Sequence, residues 1–139
     1  MKSEEMKRAI RECMLNGFST GNIDHLDQFF HTDYKRTSTV GHPSVNNLAE
    51  HKADLISRRD VFTDAKFEIV EMIAENDTVA VRYVTTGTHK KEYLGVSGTD
   101  RQIRRESCAF FQFTDGKIAS SFVLTDVYGT LEQLKRNRN

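Results

Sequence analysis

The dipeptide Asp115-Gly116 limits what this chain can fold into more than any other feature. Asp-Gly suits a type I′ turn, which needs positive φ at both central residues, and apolar runs flank it. A hairpin between Ile103 to Thr114 and Lys117 to Val127 is therefore expected. Glu75-Asn76-Asp77-Thr78 separates Ala65 to Ala74 from Val79 to Thr88 in the same way, which predicts a second hairpin. Lys90 to Gln102, holding Gly95 and Gly98, reads as a long loop between the two.

The first half follows a different period. Met6, Ala9, Ile10, Cys13 and Met14 recur at helical spacing, so a helix is expected over Ser3 to Asn16, with Ser3 as its cap and Gly17 near its end. Asn22 caps a short second helix reaching Phe30, with Ile23, Leu26, Phe29 and Phe30 on one face. Tyr34 to Val40 reads as a short strand broken by Gly41-His42-Pro43, and a third helix starts near Ser44 or Asn46 and runs to about Asp60. A last helix begins near Val127. Helices followed by long hairpins predict an α+β fold, a curved antiparallel sheet wrapped round three N-terminal helices as a cone with an interior cavity.

A length of 139 residues suits one domain. Twenty Lys and Arg balance twenty Asp and Glu, so there is no electrostatic bias toward nucleic acid or an anionic membrane surface. No stretch of 18 apolar residues occurs, and acidic residues follow Met1 where a signal peptide would be apolar, so a cytoplasmic location is expected. Cys13 and Cys108 form no metal or redox motif and are expected to be buried. Zero net charge lowers repulsion between copies, and a homodimer through the sheet face is expected.

Candidate chemistry follows from hairpin geometry. If Asp115-Gly116 is a two-residue loop, Phe113 pairs with Ile118, Phe111 with Ser120, Ala109 with Phe122, Ser107 with Leu124 and Arg105 with Asp126, all on one inward face. An acid on an apolar face has a raised pKa unless paired, which prepares it as a general acid or base. Pairing of Asp126 with Arg105, or capping of the last helix by Asp126, remains the structural alternative. In the first hairpin Glu71 falls opposite Arg82, with Ile69, Ile73, Ala80 and Val84 beside them. That pair either pins the strands or offers Arg82 to a ligand carbonyl or carboxylate. His25, His31, His42, His51 and His89 show no metal-binding spacing; His25 and His51 are expected in solvent, and His31 and His42 either in solvent or at a cavity mouth. No phosphate loop, G-x-S-x-G or Cys-His arrangement is present, which leaves carboxylate acid/base chemistry.

The stretch Ile73-Ala74-Glu75-Asn76-Asp77-Thr78-Val79-Ala80-Val81-Arg82-Tyr83, continued by Thr86-Gly87-Thr88-His89, resembles the central hairpin of SnoaL-like polyketide cyclases. Phe111 to Ile118, Asp126-Val127-Tyr128-Gly129 and Leu131-Glu132-Gln133-Leu134 resemble the same family. The resemblance implies a cone fold and an Asp at the end of the last strand that takes a proton from carbon beside a carbonyl; Asp126 is the match. It implies a small, mostly apolar, carbonyl-bearing ligand, with Tyr34 or Arg82 polarising it and Phe111, Phe122 and Leu124 as walls. No cofactor and no metal are implied. Arg105 stands where relatives usually have an apolar residue, and Ser120-Ser121-Phe122 where they often have Glu and Trp. Since this superfamily uses one cone for enzymes and for binding modules, a non-catalytic ligand- or protein-binding role stays open.

Overall fold

The computed structural model describes residues 1–136. Helix α1 (Ser3–Cys13) buries Met6, Ala9, Ile10 and Cys13 on one face and sets Glu4 and Glu5 in its first turn, where carboxylates suit the helix dipole. Its cap position is Lys2 rather than Ser3, and no side chain caps it. The chain continues through a π-helical turn (Met14–Phe18) and a 3-10 helix (Ile23–Gln28), shorter than the second helix expected. Gly17 lies at their contact, where a Cβ would come within 2.8 Å of Leu26 Cδ1.

Strand β1 spans Phe30–Arg36, four residues ahead of the expected start at Tyr34. Helix α2 (Leu48–Val61) is capped by Asn47, whose side-chain oxygen accepts the Glu50 N–H at 2.8 Å. Then come β2 (Phe62–Glu75), β3 (Thr78–His89), β4 (Gln102–Thr114), β5 (Lys117–Thr125) and α3 (Val127–Arg136). Both predicted hairpins are present, and Asp115 and Gly116 have φ of 49° and 81°, as a type I′ turn requires.

The strand order is β1-β5-β4-β3-β2. β1 pairs parallel to β5, so the curved, unclosed sheet is mixed and not wholly antiparallel as expected. No turn links β1 to its neighbour, so no local motif marks this pairing in the sequence.

β4 alternates without interruption, with Ile103, Arg105, Ser107, Ala109, Phe111 and Phe113 inward. Cross-strand rungs extend that face: Ala74, Val79, Phe111 and Ser121 form one, Met72, Val81, Ala109 and Val123 the next, then Ile69, Tyr83, Ser107 and Thr125, and finally Phe67, Thr85 and Arg105. β5 carries a bulge. Phe113 pairs with Ile118 but Gln112 pairs with Ser120, leaving Ala119 as an extra residue, and the register moves by one from there on. A shift of one reverses every following side chain, so Ser121, Val123 and Thr125 face inward in place of Phe122, Leu124 and Asp126.

α1, the π turn, β1 and the N-terminal end of α2 pack on the inner face around Phe30, Tyr34, Met14, Leu26 and Leu48. A second cluster, Phe62, Val96, Ile103 and Leu134, closes the end under α3. Opposite them, Ile73, Ala80, Phe110 and Phe122 form an outer rung and Glu71, Arg82, Cys108 and Leu124 another. Cys13 is buried as expected, whereas Cys108 is exposed on this outer face. Among the described residues no helix is long and apolar enough to cross a membrane.

Candidate active site

The inner rungs, β1 and α2 enclose a cavity of about 60 Å³. Phe18, Leu55, Phe67, Phe111 and Val123 supply apolar wall, while Tyr34, Arg36, His42, Arg58, Tyr83, Thr85, Arg105, Ser107, Ser121 and Thr125 supply polar atoms. An adjoining lobe of about 40 Å³ shares Phe18, Leu55, Arg58, Phe67, Thr85 and Arg105 and adds Ile23, Arg59, Phe62 and Ala65.

Two hydroxyl groupings line the sheet side. Tyr34 Oη hydrogen-bonds Ser121 Oγ. Thr125 Oγ1 lies 2.7 Å from both His42 Nε2 and Ser107 Oγ. Burial pushes the Tyr34 hydroxyl up to about 12, with the Ser121 bond acting against it, so Tyr34 stays protonated and able to donate. His42 reaches this wall because a small loop folds back, with Thr39 and His42 exchanging backbone hydrogen bonds of 2.9 and 3.0 Å. Burial holds its pKa down at about 3, and Arg58, Arg36 and Arg105 add to the effect. A neutral imidazole thus faces the cavity at neutral pH.

The cations have one carboxylate between them. Asp54 Oδ2 accepts from Arg36 Nη2 at 3.0 Å and from Arg58 Nε at 2.9 Å. Burial opposes ionisation of Asp54, yet the pull of Arg58 and Arg36 keeps its pKa below the usual carboxylate value. Arg36 also donates to the Pro43 carbonyl at 2.6 and 3.1 Å, and Arg58 to the Gly41 carbonyl. Arg105 makes no salt bridge among the described residues; its guanidinium carbon lies 4.4 Å from the Phe62 ring centroid and 5.9 Å from that of Tyr93. Three guanidiniums against one carboxylate leave the site an excess of positive charge.

Tyr34 and Phe111 lie on the cavity wall. Phe122 and Leu124 do not, being 39% and 48% exposed on the outer face. Arg82 is also on the outer face, where its Nε meets Glu71 Oε1 at 3.1 Å, the expected ion pair. Asp126 is exposed and accepts the Gly129 N–H at 2.8 Å, as a cap of α3; it makes no salt bridge with Arg105, and the bulge at Ala119 is the reason. Ile73 and Ala80 share the outer face with Glu71 and Arg82 as expected, but Ile69 pairs with Tyr83 on the inner face, because β2 has its own irregularity between Ile69 and Glu71. His51 is not in solvent: it is 5% exposed within Phe18, Phe30 and Tyr34, with neither ring nitrogen bonded to protein, and burial holds its pKa at about 3. Sequence reasoning passes over Arg58 and Thr125 as cavity groups; it places Ser107 on the inward face and offers Arg36 or Thr37 where relatives of the family often carry a pocket His. Ser107 and Arg105 were legible from β4's alternation, but bringing Arg36 to Arg58 needed the packing of α2 on β1. Among the described residues no group of three or more His, Cys, Asp or Glu gathers to hold a metal ion.

The family model of SnoaL-like polyketide cyclases matches residues 5–134. The chain belongs to this family. Nogalonic acid methyl ester cyclase of Streptomyces nogalater is 29% identical over 123 residues, covering 87% of this chain and 91% of that protein. Aklanonic acid methyl ester cyclase AcmA of Streptomyces galilaeus is 28% identical over 131 residues, covering 94% and 90%. The structure of TsrD from Streptomyces laurentii superposes with a TM-score of 0.84 at 16% identity, over 96% of each chain, a likeness of fold alone. Within this SnoaL-like chain the cavity lies between the helical layer and the sheet's inner face, and the positions β5 presents to it are Ser121, Val123 and Thr125.

Proposed function

We propose that this SnoaL-like protein is a cofactor-independent cyclase or isomerase that takes a proton from carbon beside a ligand carbonyl inside the inner cavity. The observation that carries it is the buried His42 on a wall that also holds Arg36, Arg58 and Arg105, with one carboxylate, Asp54, behind Arg36 and Arg58 and none on the wall itself among the described residues. Proton removal makes an enolate. Excess guanidinium charge in a poorly solvated site stabilises the oxygen on which that negative charge develops. In a ring closure, His42 takes the α-proton as the enolate's negative charge offsets the guanidiniums, and the enolate carbon attacks a second carbonyl of the same molecule. The new alkoxide takes the proton back from the imidazolium, directly or through Tyr34, which the imidazolium then reprotonates. The two relatives named as ester cyclases support a polyketide-like ligand. A free volume of about 60 Å³ holds only a few waters, so a larger ligand must displace the half-buried Leu55 and Phe67 at the mouth.

The test is turnover of β-dicarbonyl polyketide mimics by His42→Ala, Tyr34→Phe and Asp126→Asn. Loss of at least about 100-fold in kcat for His42→Ala, with Asp126→Asn near wild type, is the expected result. The reverse pattern would return the chemistry to Asp126. A second reading, ligand binding without turnover, is favoured by one observation: among the described residues no carboxylate lines the cavity. Saturable binding of such mimics with no turnover would establish it.

We also propose that two copies pair through the outer sheet face, where Ile73, Phe110, Phe122 and Leu124 are all exposed. Light scattering should give twice the chain mass, and Phe110→Lys should halve it.

A further inference from the structure

Arg105 has its charge in the wrong place for a purely structural residue. It is 9% exposed, points inward from the first half of an unbroken strand, and borders both lobes of the cavity. Burial disfavours its charged form, and Arg58 adds repulsion, though an arginine stays protonated in protein interiors. Asp54 does not serve it, because one oxygen of that carboxylate is already shared by Arg36 and Arg58 at 3.0 and 2.9 Å. Phe62 with its ring face and Tyr93 with its ring and a side-chain hydrogen bond orient the guanidinium, but neither carries a negative charge at neutral pH. A buried cation with only neutral partners is disposed to take an anion, and the fork of an arginine matches a carboxylate. The surroundings select the rest of that anion: Phe18, Leu55, Phe62, Phe67, Ile23 and Ala65 offer apolar contact.

We infer that Arg105 is a specificity-determining residue that binds a free carboxylate on an otherwise apolar organic ligand, so that this chain prefers a carboxylic acid to its methyl ester. The inference rests on the inner cavity being the ligand site, and it separates this chain from relatives whose names specify methyl esters. An ester lacks the charge and keeps only its carbonyl oxygen as a good acceptor, so it cannot meet both arms of the guanidinium as a carboxylate does.

Calorimetry of the full chain at pH 7 and low salt would compare 2-naphthoate with methyl 2-naphthoate, the pair benzoate and methyl benzoate serving as smaller probes. The acid should bind at least about tenfold tighter than its ester. Arg105→Met, which can still pack between Phe62 and Tyr93, should bring the ratio near one, while Arg105→Lys keeps part of it; thermal melting shows that each variant is folded. Equal binding of acid and ester, unchanged preference in folded Arg105→Met, no saturable binding of either acid, or inorganic phosphate binding as tightly as naphthoate would each overturn the inference. Turnover separates it from the cyclase proposal. Ring closure of ester mimics without acid preference sinks the carboxylate site alone, and acid preference without turnover of any mimic sinks the cyclase and leaves the carboxylate site standing.

Discussion

Arg82 meets Glu71 at 3.1 Å on the outer face of the sheet, and Arg36 meets Asp54 at 3.0 Å beneath its inner face. The distances are nearly equal. Yet the outer pair keeps 52% and 68% of its side-chain surface in water, and the inner pair 3% and 17%. Water screens the first so fully that it is worth little, whereas in the second each partner would be a stranded buried charge without the other. The same contrast sets Arg105 against Arg104, one residue away: Arg104 lies outside near Glu106 at 3.5 Å, and Arg105 lies inside with rings for company. Function follows the face a residue points to, more than its type.

The sharpest way to break this contrast is to swap the faces. Inserting one alanine between Ser120 and Ser121 would bring Phe122, Leu124 and Asp126 inward, so we expect a loss of about 5 kcal/mol or an unfolded chain in urea denaturation, whereas deleting the unpaired Ala119 leaves Ser121, Val123 and Thr125 inward. An insertion variant as stable as the parent would mean that register does not fix the faces of β5. Next in size, Asp54→Asn should cost about 3 kcal/mol by leaving two guanidiniums without a counter-charge, against about 0.5 kcal/mol or less for Glu71→Gln. Similar losses from both would erase the distinction between the pairs.

Acid should act on the inner side. His42 and His51 have folded-state pKa values of about 3 against an ordinary 6.5, so between these pH values the unfolded chain binds the additional protons. Their contribution is complete above about pH 6.5 and is lost as pH falls toward 3, at about 1.4 kcal/mol per unit for each histidine. Asp54, with its depressed pKa, adds a loss in the same direction at lower pH. Denaturation midpoints from pH 7 to pH 4 should show this slope, and His51→Leu should remove roughly half of the two-histidine part. A smaller effect is expected at the outer end of β5: Asp126→Ala should cost about 1 kcal/mol as a lost helix cap and Asp126→Asn only a few tenths, by thermal melting.

Much of the architecture is visible in residue order alone. Asp115-Gly116 and the alternation of Ile103 to Phe113 determine the second hairpin and place Arg105, Ser107 and Phe111 inward. What escaped has specific physical causes. A bulge formed by alanine at position 119 has no signature residue, since an extra residue near the α region needs no glycine. Asp126 was consequently assigned to the wrong face, although its alternative role as a cap was legible from its place before Val127. The parallel contact of β1 is long range, and His51 sits on a helix whose burial depends on aromatic residues from the π turn and β1. His42 belongs to a loop with no period at all, so only the fold brings it beside Thr125.

The extra residue at Ala119 also gives β5 a phase slip. Before it the even-numbered Ile118 is wholly buried; after it the odd-numbered Ser121, Val123 and Thr125 face inward and the even-numbered Phe122 and Leu124 face out. A charge scan along the strand should therefore show tolerance that flips from odd to even positions across a single alanine. A residue inserted after Ser120 would exchange cavity and surface for everything that follows, while a single deletion at the alanine is absorbed, so added length here changes the chemistry of the wall before it changes any wall residue.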